Sequence, residues 1–408
     1  MLHLVSDESA PWHADRPSQT HSPFVTYDER FAWAAYAAAH GVSLDARRSL
    51  VEELDDAVAE VEGASAGRGD GSTGVGFRPT PLDRSDELSA ALGFGPTGGV
   101  WVKYDSVNVA GSHKARHLFS ILLHLRAAEL IGHLPTRPPL AIASCGNAAL
   151  AAAVLARAAR WPIDVYVPEW LSEATGAQLS ALGATVHRCA RSDRDPVGDP
   201  AMLRFREAVE GGAIPFTVQG PENSLCLDGG RTIGWEIADQ LTGSGAPRVD
   251  QIYAQIGGGA FATCLGRGLR EAGLSPRLYA VQAEGCAPLA RAWERASSLG
   301  GGLVVGDAAL GRRWSMLMTT WDDPHSLADG ILDDETYDWL GVFDAMRASG
   351  GAPVVAPESD IAEAHRLANE AGFDVSATGS AGLAGLLANR AAVAADDRVI
   401  VVFTGVAR

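Results

Sequence analysis

The chain has little positive charge. With 33 Lys and Arg against 50 Asp and Glu, its formal net charge is −17, whereas a surface that grips a nucleic acid backbone needs clustered cations. It also lacks an apolar run of membrane-spanning length, and its N-terminus has no basic region leading into an apolar core. A cytoplasmic protein is therefore expected. Cysteines are scarce as well. The five of them, Cys145, Cys189, Cys226, Cys264 and Cys286, are odd in number and scattered, which fits reduced thiols better than a disulfide framework or a zinc site. Cys145 alone falls inside a motif, where it reads as a small residue in a tight turn. What remains, 408 residues that are 47% hydrophobic and 20% charged, is enough for a large core and more than one domain.

The chain is organised around Gly111-Ser112-His113-Lys114-Ala115-Arg116, set between an expected strand, Val100 to Tyr104, and an apolar-periodic segment from Leu118 to Ile131. A lysine entering a helix from a Gly-Ser turn can be held partly out of water. That favours its neutral amine, the form that attacks a carbonyl. Further on, the apolar run Leu140 to Ala143 ends in Ser144-Cys145-Gly146-Asn147 before an alanine-rich helix, Ala148 to Ala159. This turn offers a hydroxyl, backbone N–H groups and an amide to a carboxylate or a ring oxygen. The strand Gln251 to Ile256 runs into Gly257-Gly258-Gly259-Ala260, a strand-to-helix turn of the kind that presents N–H groups to a phosphate. Finally, Val399 to Phe403 delivers the hydroxyl of Thr404 beyond a buried strand. Amine, carboxylate turn, phosphate loop and terminal hydroxyl together suit pyridoxal 5'-phosphate.

From about Phe77 to the C-terminus the chain resembles the fold-type-II pyridoxal phosphate enzymes, most closely the threonine synthase and serine/threonine dehydratase branch of the tryptophan synthase beta superfamily. Besides the four motifs above, the resemblance rests on Thr80-Pro81-Leu82, Leu182-Gly183-Ala184, Asp228-Gly229-Gly230-Arg231-Thr232, Ala328-Asp329-Gly330-Ile331 and Ser349-Gly350-Gly351, all in that family's order. It implies an α/β fold of two three-layer domains with mostly parallel sheets. Independently, apolar strands alternate with helices from Phe77 onward, the pattern of a parallel sheet covered on both faces. The expected division is a helical extension and linker over 1–76, a large cofactor-binding domain from 77–117 and 222–408, and a small mobile domain over 118–221 that closes on the substrate. A homodimer is the expected assembly, with a small amino acid as the ligand and neither nucleic acid nor membrane as a partner.

In the extension, Phe31 to His40 reads as a helix stopped by Gly41. Ser43 is placed to cap a second helix, with Leu50, Leu54, Val58 and Val61 on one face and Glu52, Glu53, Asp55, Asp56 and Glu60 on the others. The pair is expected to pack on the chain's own catalytic domain rather than on a partner. Ala64 to Gly76 is glycine-rich and reads as a flexible linker. Near the C-terminus, Asp360 and Glu363 suggest a capping box for a helix from Ile361 to Ala371.

The resemblance also implies roles. Lys114 would anchor the cofactor and act as base; Asn147 would donate to the ring's phenolic oxygen. Ser144, Cys145, Gly146 and Asn147 would receive the substrate, and Gly257, Gly258, Gly259 and Ala260 the phosphate. Thr404 would face the ring nitrogen, and a neutral hydroxyl there favours elimination and replacement over transamination. Departures leave the substrate open. Ala115-Arg116-His117 stands where threonine synthases commonly have Asp-Arg-Gly, His113 stands where dehydratases commonly have Phe, and Ser376-Ala377 replaces a usual Glu-Pro pair. His113 reads as a packed or solvated side chain, and Glu284 as a surface carboxylate rather than part of a cation site.

The expected reaction is elimination, with deamination, of a small hydroxy or O-activated amino acid such as serine or threonine. The alternative is threonine synthase-like replacement on O-phosphohomoserine or on a specialised biosynthetic amino acid. A phosphate-bearing substrate would need a second cationic site, for which Arg116 and Lys103 are the candidates by proximity in sequence alone, a solvated side chain being the equal alternative for each. Two readings come from other classes. Gly257, Gly259 and Ala262 match a dinucleotide fingerprint, with Glu284 ending the next strand, but a dehydrogenase leaves Lys114, the Ser144 turn and Thr404 unexplained. A catalytically idle, cofactor-bound partner subunit is opposed by the intact Lys114, Asn147 and glycine loop.

Overall fold

The computed structural model describes residues 22–65, 74–193, 195–196, 198–243, 248–298 and 310–407. Residues 1–21 and the centre of the expected linker, 66–73, lie outside them. Among the described residues, ten strands form two sheets. They are β1 (Leu82–Ser85), β2 (Gly99–Tyr104), β3 (Leu140–Ala143), β4 (Ile163–Pro168), β5 (Thr185–Cys189), β6 (Ile214–Pro215), β7 (Gln251–Gln255), β8 (Arg277–Ala283), β9 (Pro353–Ala356) and β10 (Arg398–Phe403). The larger sheet has the order β1-β2-β10-β7-β8-β9 and the smaller β5-β4-β3-β6. Every pairing is parallel except that of β1 with β2.

A sheet covered by helices on both faces needs strands apolar on both, and β10 shows how this sequence meets the demand. Val399, Val401 and Phe403 point into one layer with Val100, Val102, Tyr253 and Val281. Ile400 and Val402 point into the other with Ile252, Ala254 and Leu278. The last strand in the chain thereby lies in the middle of the large sheet, between β2 and β7. Ser112 bridges Gly405, and Val406 N–H donates to Gly111 O at 3.1 Å, so the approach to Lys114 is tied to the C-terminal strand.

The N-terminal helices pack on the catalytic body as expected. They are Ala32–Ala39 and Leu44–Ser65, with Ser43 Oγ accepting the Ala46 N–H at 3.2 Å. Phe24 and Phe31 stack at 5.2 Å; Phe24 also meets Phe77 and Phe119 edge-on, and Phe31 meets Trp235. Tyr27 donates to Asp239, and the Ala32 N–H to Asp228.

Two local expectations are corrected. Asp55, assigned to the solvent side of its helix, is buried and accepts the Phe77 N–H at 2.7 Å while pairing with Arg78. Helical periodicity alone had no way to register the returning chain at Phe77. The helix expected from Ile361 runs instead over Glu358–Glu370, with Pro357 at its N-cap position. Glu284 Oε1 accepts the Glu358 N–H at 2.8 Å, so Asp360 sits inside the first turn and the end is capped from another strand.

Candidate active site

In an open parallel sheet, ligand groups gather beyond the carboxyl ends of the strands. Here three adjacent strands supply them: β2 leads through Ser112 to Lys114, β10 to Thr404 and β7 to Gly257. The smaller sheet contributes Ser144 to Asn147 from the end of β3. Asn147 Nδ2 donates to Val406 O at 3.3 Å, and His113 N–H to Thr404 O at 3.0 Å. Residues 291 positions apart in the chain, His113 and Thr404, are thus held together, and with them Lys114 and the C-terminal segment.

Lys114 opens the helix Lys114–Ile131 and is half-buried at its base. Burial lowers the pKa of its amine, with the nearby Asp333 carboxylate and Cys226 opposing the shift. His113 packs against Phe261 at 4.7 Å and directs Nδ1 to Thr404 O, consistent with the packed role expected of it. His117, one turn on, directs Nδ1 to Cys226 O at 2.9 Å. Burial, then the neighbouring Lys114 charge, brings its pKa down to about 3, so both imidazoles are neutral beside the lysine.

Arg116 and Lys103 are not a substrate phosphate site, and this corrects the sequence expectation. Both are fully buried. Arg116 reaches Asp105 at 2.8 Å, Glu236 at 2.5 Å and Thr232 Oγ1 at 2.9 Å. Lys103 Nζ donates to Glu236 at 2.7 Å, to Thr80 O at 2.7 Å and to Gln240 at 3.0 Å. Two cations and two carboxylates neutralise one another, locking β2, the start of the lysine helix and the helix Thr232–Gly243. The Thr80-Pro81-Leu82 motif is also structural: Thr80 Oγ1 donates to Asp105 at 2.9 Å and its N–H to Glu236 at 3.1 Å.

The loop Gly257–Gly259 runs into the helix Ala260–Glu271. Its lack of side chains has a second cause besides ligand approach. The segment 331–338 lies against it, so that a Cβ on Gly257 would strike the Asp333 carboxylate and one on Gly258 would come within 3.2 Å of Tyr337. Gly259 has φ +94°, and a Cβ there would lie 2.9 Å from Thr336 Cγ2. The Asp333 carboxylate lies beside the loop, where the Gly258 N–H works against the rise in its pKa. Burial raises Asp333 to about 6, with Lys114 opposing. Asp338 accepts the Gly220 N–H at 3.0 Å and is pushed by burial to about 7.

Across the cleft, Ser144 to Asn147 are half-buried and Asn147 starts the helix Asn147–Ala159. Nothing lies within 4 Å of where a Gly146 Cβ would be, leaving room for a bound group. Burial pushes the Cys145 thiol up, which fits its reading as a small turn residue. Thr404 is buried, and its Oγ1 accepts from Gln255 Nε2 at 2.5 Å. Sequence reasoning passed over Gln255 and Asp333. The first stood out as a polar residue in an apolar strand; the second was one acid in a run that reads as a solvated face. Glu284 is exposed, and no group of three or more His, Cys, Asp or Glu among the described residues is arranged to hold a metal. Nor is any described helix long and apolar enough to cross a membrane.

These residues suit a phosphate-bearing aldehyde. They offer a half-buried lysine whose amine has a lowered pKa, a strand-to-helix glycine loop, a buried hydroxyl, and buried polar atoms without protein partners at Ser112 Oγ and His113 Nε2. The class is that of α/β proteins with mostly parallel sheets that use pyridoxal 5'-phosphate. The chain belongs to the family described as pyridoxal-phosphate dependent enzyme, matched over residues 75–405, and pyridoxal phosphate is its cofactor. It is 27% identical over 337 residues to a threonine synthase of Methanosarcina acetivorans, covering 80% of this chain and 74% of that one. It is 29% identical over 198 residues to a serine dehydratase-like protein of Rattus norvegicus, covering 48% and 53%. Its fold is similar to that of threonine deaminase isoform 2 from Solanum lycopersicum, with TM-score 0.64, 17% identity and coverage of 88% and 90%.

Proposed function

We propose that this enzyme eliminates the β-substituent of a small hydroxy or O-activated amino acid, of the serine or threonine kind, releasing a keto acid and ammonia. Pyridoxal phosphate, when bound, supplies a carbonyl for the lysine and a conjugated ring that accepts electron density from the substrate's α-carbon. The chain's own residues divide the remaining work. Lys114, its neutral amine favoured by burial, anchors the cofactor and takes the α-proton. Ser144 and the N–H groups of Cys145 and Gly146 receive the substrate carboxylate, while Asn147 donates to the phenolic oxygen. Gly257, Gly258, Gly259 and Ala260 hold the phosphate through N–H groups, and Thr404 faces the ring nitrogen. The unit 118–221, which carries the β3 turn, closes over the substrate and excludes water.

The observation that carries elimination of an uncharged group is the locked state of Lys103 and Arg116. The two candidate cations close to the lysine in sequence are consumed by Asp105 and Glu236, while Asp333 adds a carboxylate beside Lys114. A γ-phosphate would find neither of these two cations free, whereas a departing hydroxyl takes up a proton and leaves as water, with no need of a fixed cation. Replacement on O-phosphohomoserine is the second reading, favoured by the likeness to a threonine synthase over most of the chain. The test is to incubate the cofactor-loaded enzyme separately with L-serine, L-threonine and O-phospho-L-homoserine and to follow products by proton NMR. Keto acid and ammonia from either hydroxy amino acid are expected; threonine and free phosphate from the third would replace the proposal by the second reading.

A further inference from the structure

Gln255 closes β7, two residues before the glycine loop, and its side chain turns toward β10. Its Nε2 lies 3.1 Å from Thr378 O, 2.8 Å from Gly379 O and 2.5 Å from Thr404 Oγ1. Two of these three atoms are backbone carbonyl oxygens, which only accept hydrogen bonds. The amide must therefore present its nitrogen to them. Turning it over would set Oε1 against two carbonyls, and the observed orientation instead leaves Oε1 buried without a partner, 3.0 Å from where a Gly382 Cβ would be. One unpartnered acceptor costs less than an oxygen pressed against two others in addition to two lost bonds. Gly379 O also accepts the Thr404 N–H at 3.1 Å, so Gln255 and the Thr404 backbone share one anchor in the first turn of the helix Ala377–Ala388.

The orientation of the amide determines that of the hydroxyl. Nε2 carries two hydrogens; with the adjacent carbonyls of Thr378 and Gly379 sharing one, the other goes to Thr404 Oγ1, which acts as acceptor, and this is the only hydrogen bond that Oγ1 makes among the described residues. Its own proton is left pointing away from Gln255. We propose that Gln255 is a positioning residue that commits the Thr404 hydroxyl to donate to the cofactor's ring nitrogen. The inference rests on the reading that Thr404 faces that nitrogen, and it adds the cause of the donor's direction. A ring nitrogen that receives a hydrogen bond from a neutral hydroxyl stays unprotonated. Without Gln255 the Thr404 hydroxyl is free to turn its proton toward the Gly379 carbonyl, which has then lost the amide.

The test uses holoenzyme loaded with pyridoxal phosphate carrying 15N in the ring, in wild type, Thr404→Val, Gln255→Leu and the double variant. The readouts are the ring 15N chemical shift and the cofactor dissociation constant. Thr404→Val is expected to move the resonance toward that of a neutral pyridine lacking a donor, and Gln255→Leu to move it in the same direction. Each should weaken cofactor binding by about two- to tenfold, the size of one net hydrogen bond. On the Thr404→Val background, Gln255→Leu should leave the resonance where it is. A shift with Thr404→Val but none with Gln255→Leu overturns the positioning role and leaves the Thr404 reading standing. No shift with either removes the Thr404 reading and the proposal with it. A further shift in the double variant would show Gln255 acting elsewhere and also overturns the proposal. Should the leucine variant fail to fold, Gln255→Met, which keeps the unbranched chain without the donors, takes its place under the same criteria.

Discussion

At the scale of single residues, burial decides chemistry. Lys114, Lys103 and Arg116 lie within fourteen positions of one another in the chain, yet only Lys114 lacks a carboxylate locked to it at ion-pair distance among the described residues. Lys114→Ala should lose the visible absorption that covalently held pyridoxal phosphate gives while retaining its circular dichroism; a folded variant that kept the band would overturn the anchor assignment. Arg116→Ala should behave differently. Removing one member of the buried network leaves the charge on Asp105 uncompensated, while Lys103 still holds Glu236, at a cost of about 3–5 kcal/mol, measurable by urea denaturation. A variant of native stability that had lost only its affinity for phosphate-bearing substrates would instead restore Arg116 as a substrate ligand.

At the scale of elements, the site depends on strand ends and on what packs behind them. Gly259 takes a left-handed conformation with Thr336 and Val342 over it. Gly259→Ala should therefore destabilise the loop by more than about 1 kcal/mol and weaken cofactor binding, read by equilibrium dialysis. Unchanged affinity would mean that the loop relaxes without altering its N–H groups. The N-terminal helices are part of the same packing, because Phe31 is buried between Phe24, Trp33 and Trp235. Phe31→Ala should cost about 3–5 kcal/mol in global unfolding. A two-step transition, with the helices leaving first at no cost to the catalytic body, would mark them as a separate module.

At the scale of the whole molecule, buried acids set a pH dependence whose sign follows from the shifts. Asp55, Asp333 and Asp338 have folded-state pKa values raised to about 6, 6 and 7, chiefly by burial. The folded chain then binds more protons than the unfolded one between roughly pH 4 and 7. Their contribution to stability is complete at the acid end of that window and lost as pH rises through it. The neutral buried His117, lowered to about 3, acts oppositely between that value and the ordinary histidine range, so a difference between variants is more informative than one curve. Asp338→Asn keeps an acceptor for the Gly220 N–H and removes the titration. Its stability relative to wild type should rise from pH 5 to 8 in urea unfolding; a difference that fell over that range would show that Asp338 is stabilised as a carboxylate.

The sequence by itself determined the elements and the order of the motifs, because these depend on local chemistry: apolar runs that must be buried on both faces, glycines at strand-to-helix turns, a lysine at a helix start. It also placed Lys114, Asn147, the glycine loop and Thr404 near strand ends. Only the tertiary structure decided which cations are free. The partners of Lys103 and Arg116 include Glu236, more than a hundred positions away, and no spacing rule connects them. The same holds for Asp55 beneath Phe77, for Glu284 capping the helix at Glu358, and for Gln255 reaching Thr404 from a neighbouring strand. Each is a polar group whose partner arrives from elsewhere in the chain. Periodicity reports which face of an element is apolar, but only the assembled sheet order, with the last strand lying between β2 and β7, brings those partners within hydrogen-bond distance.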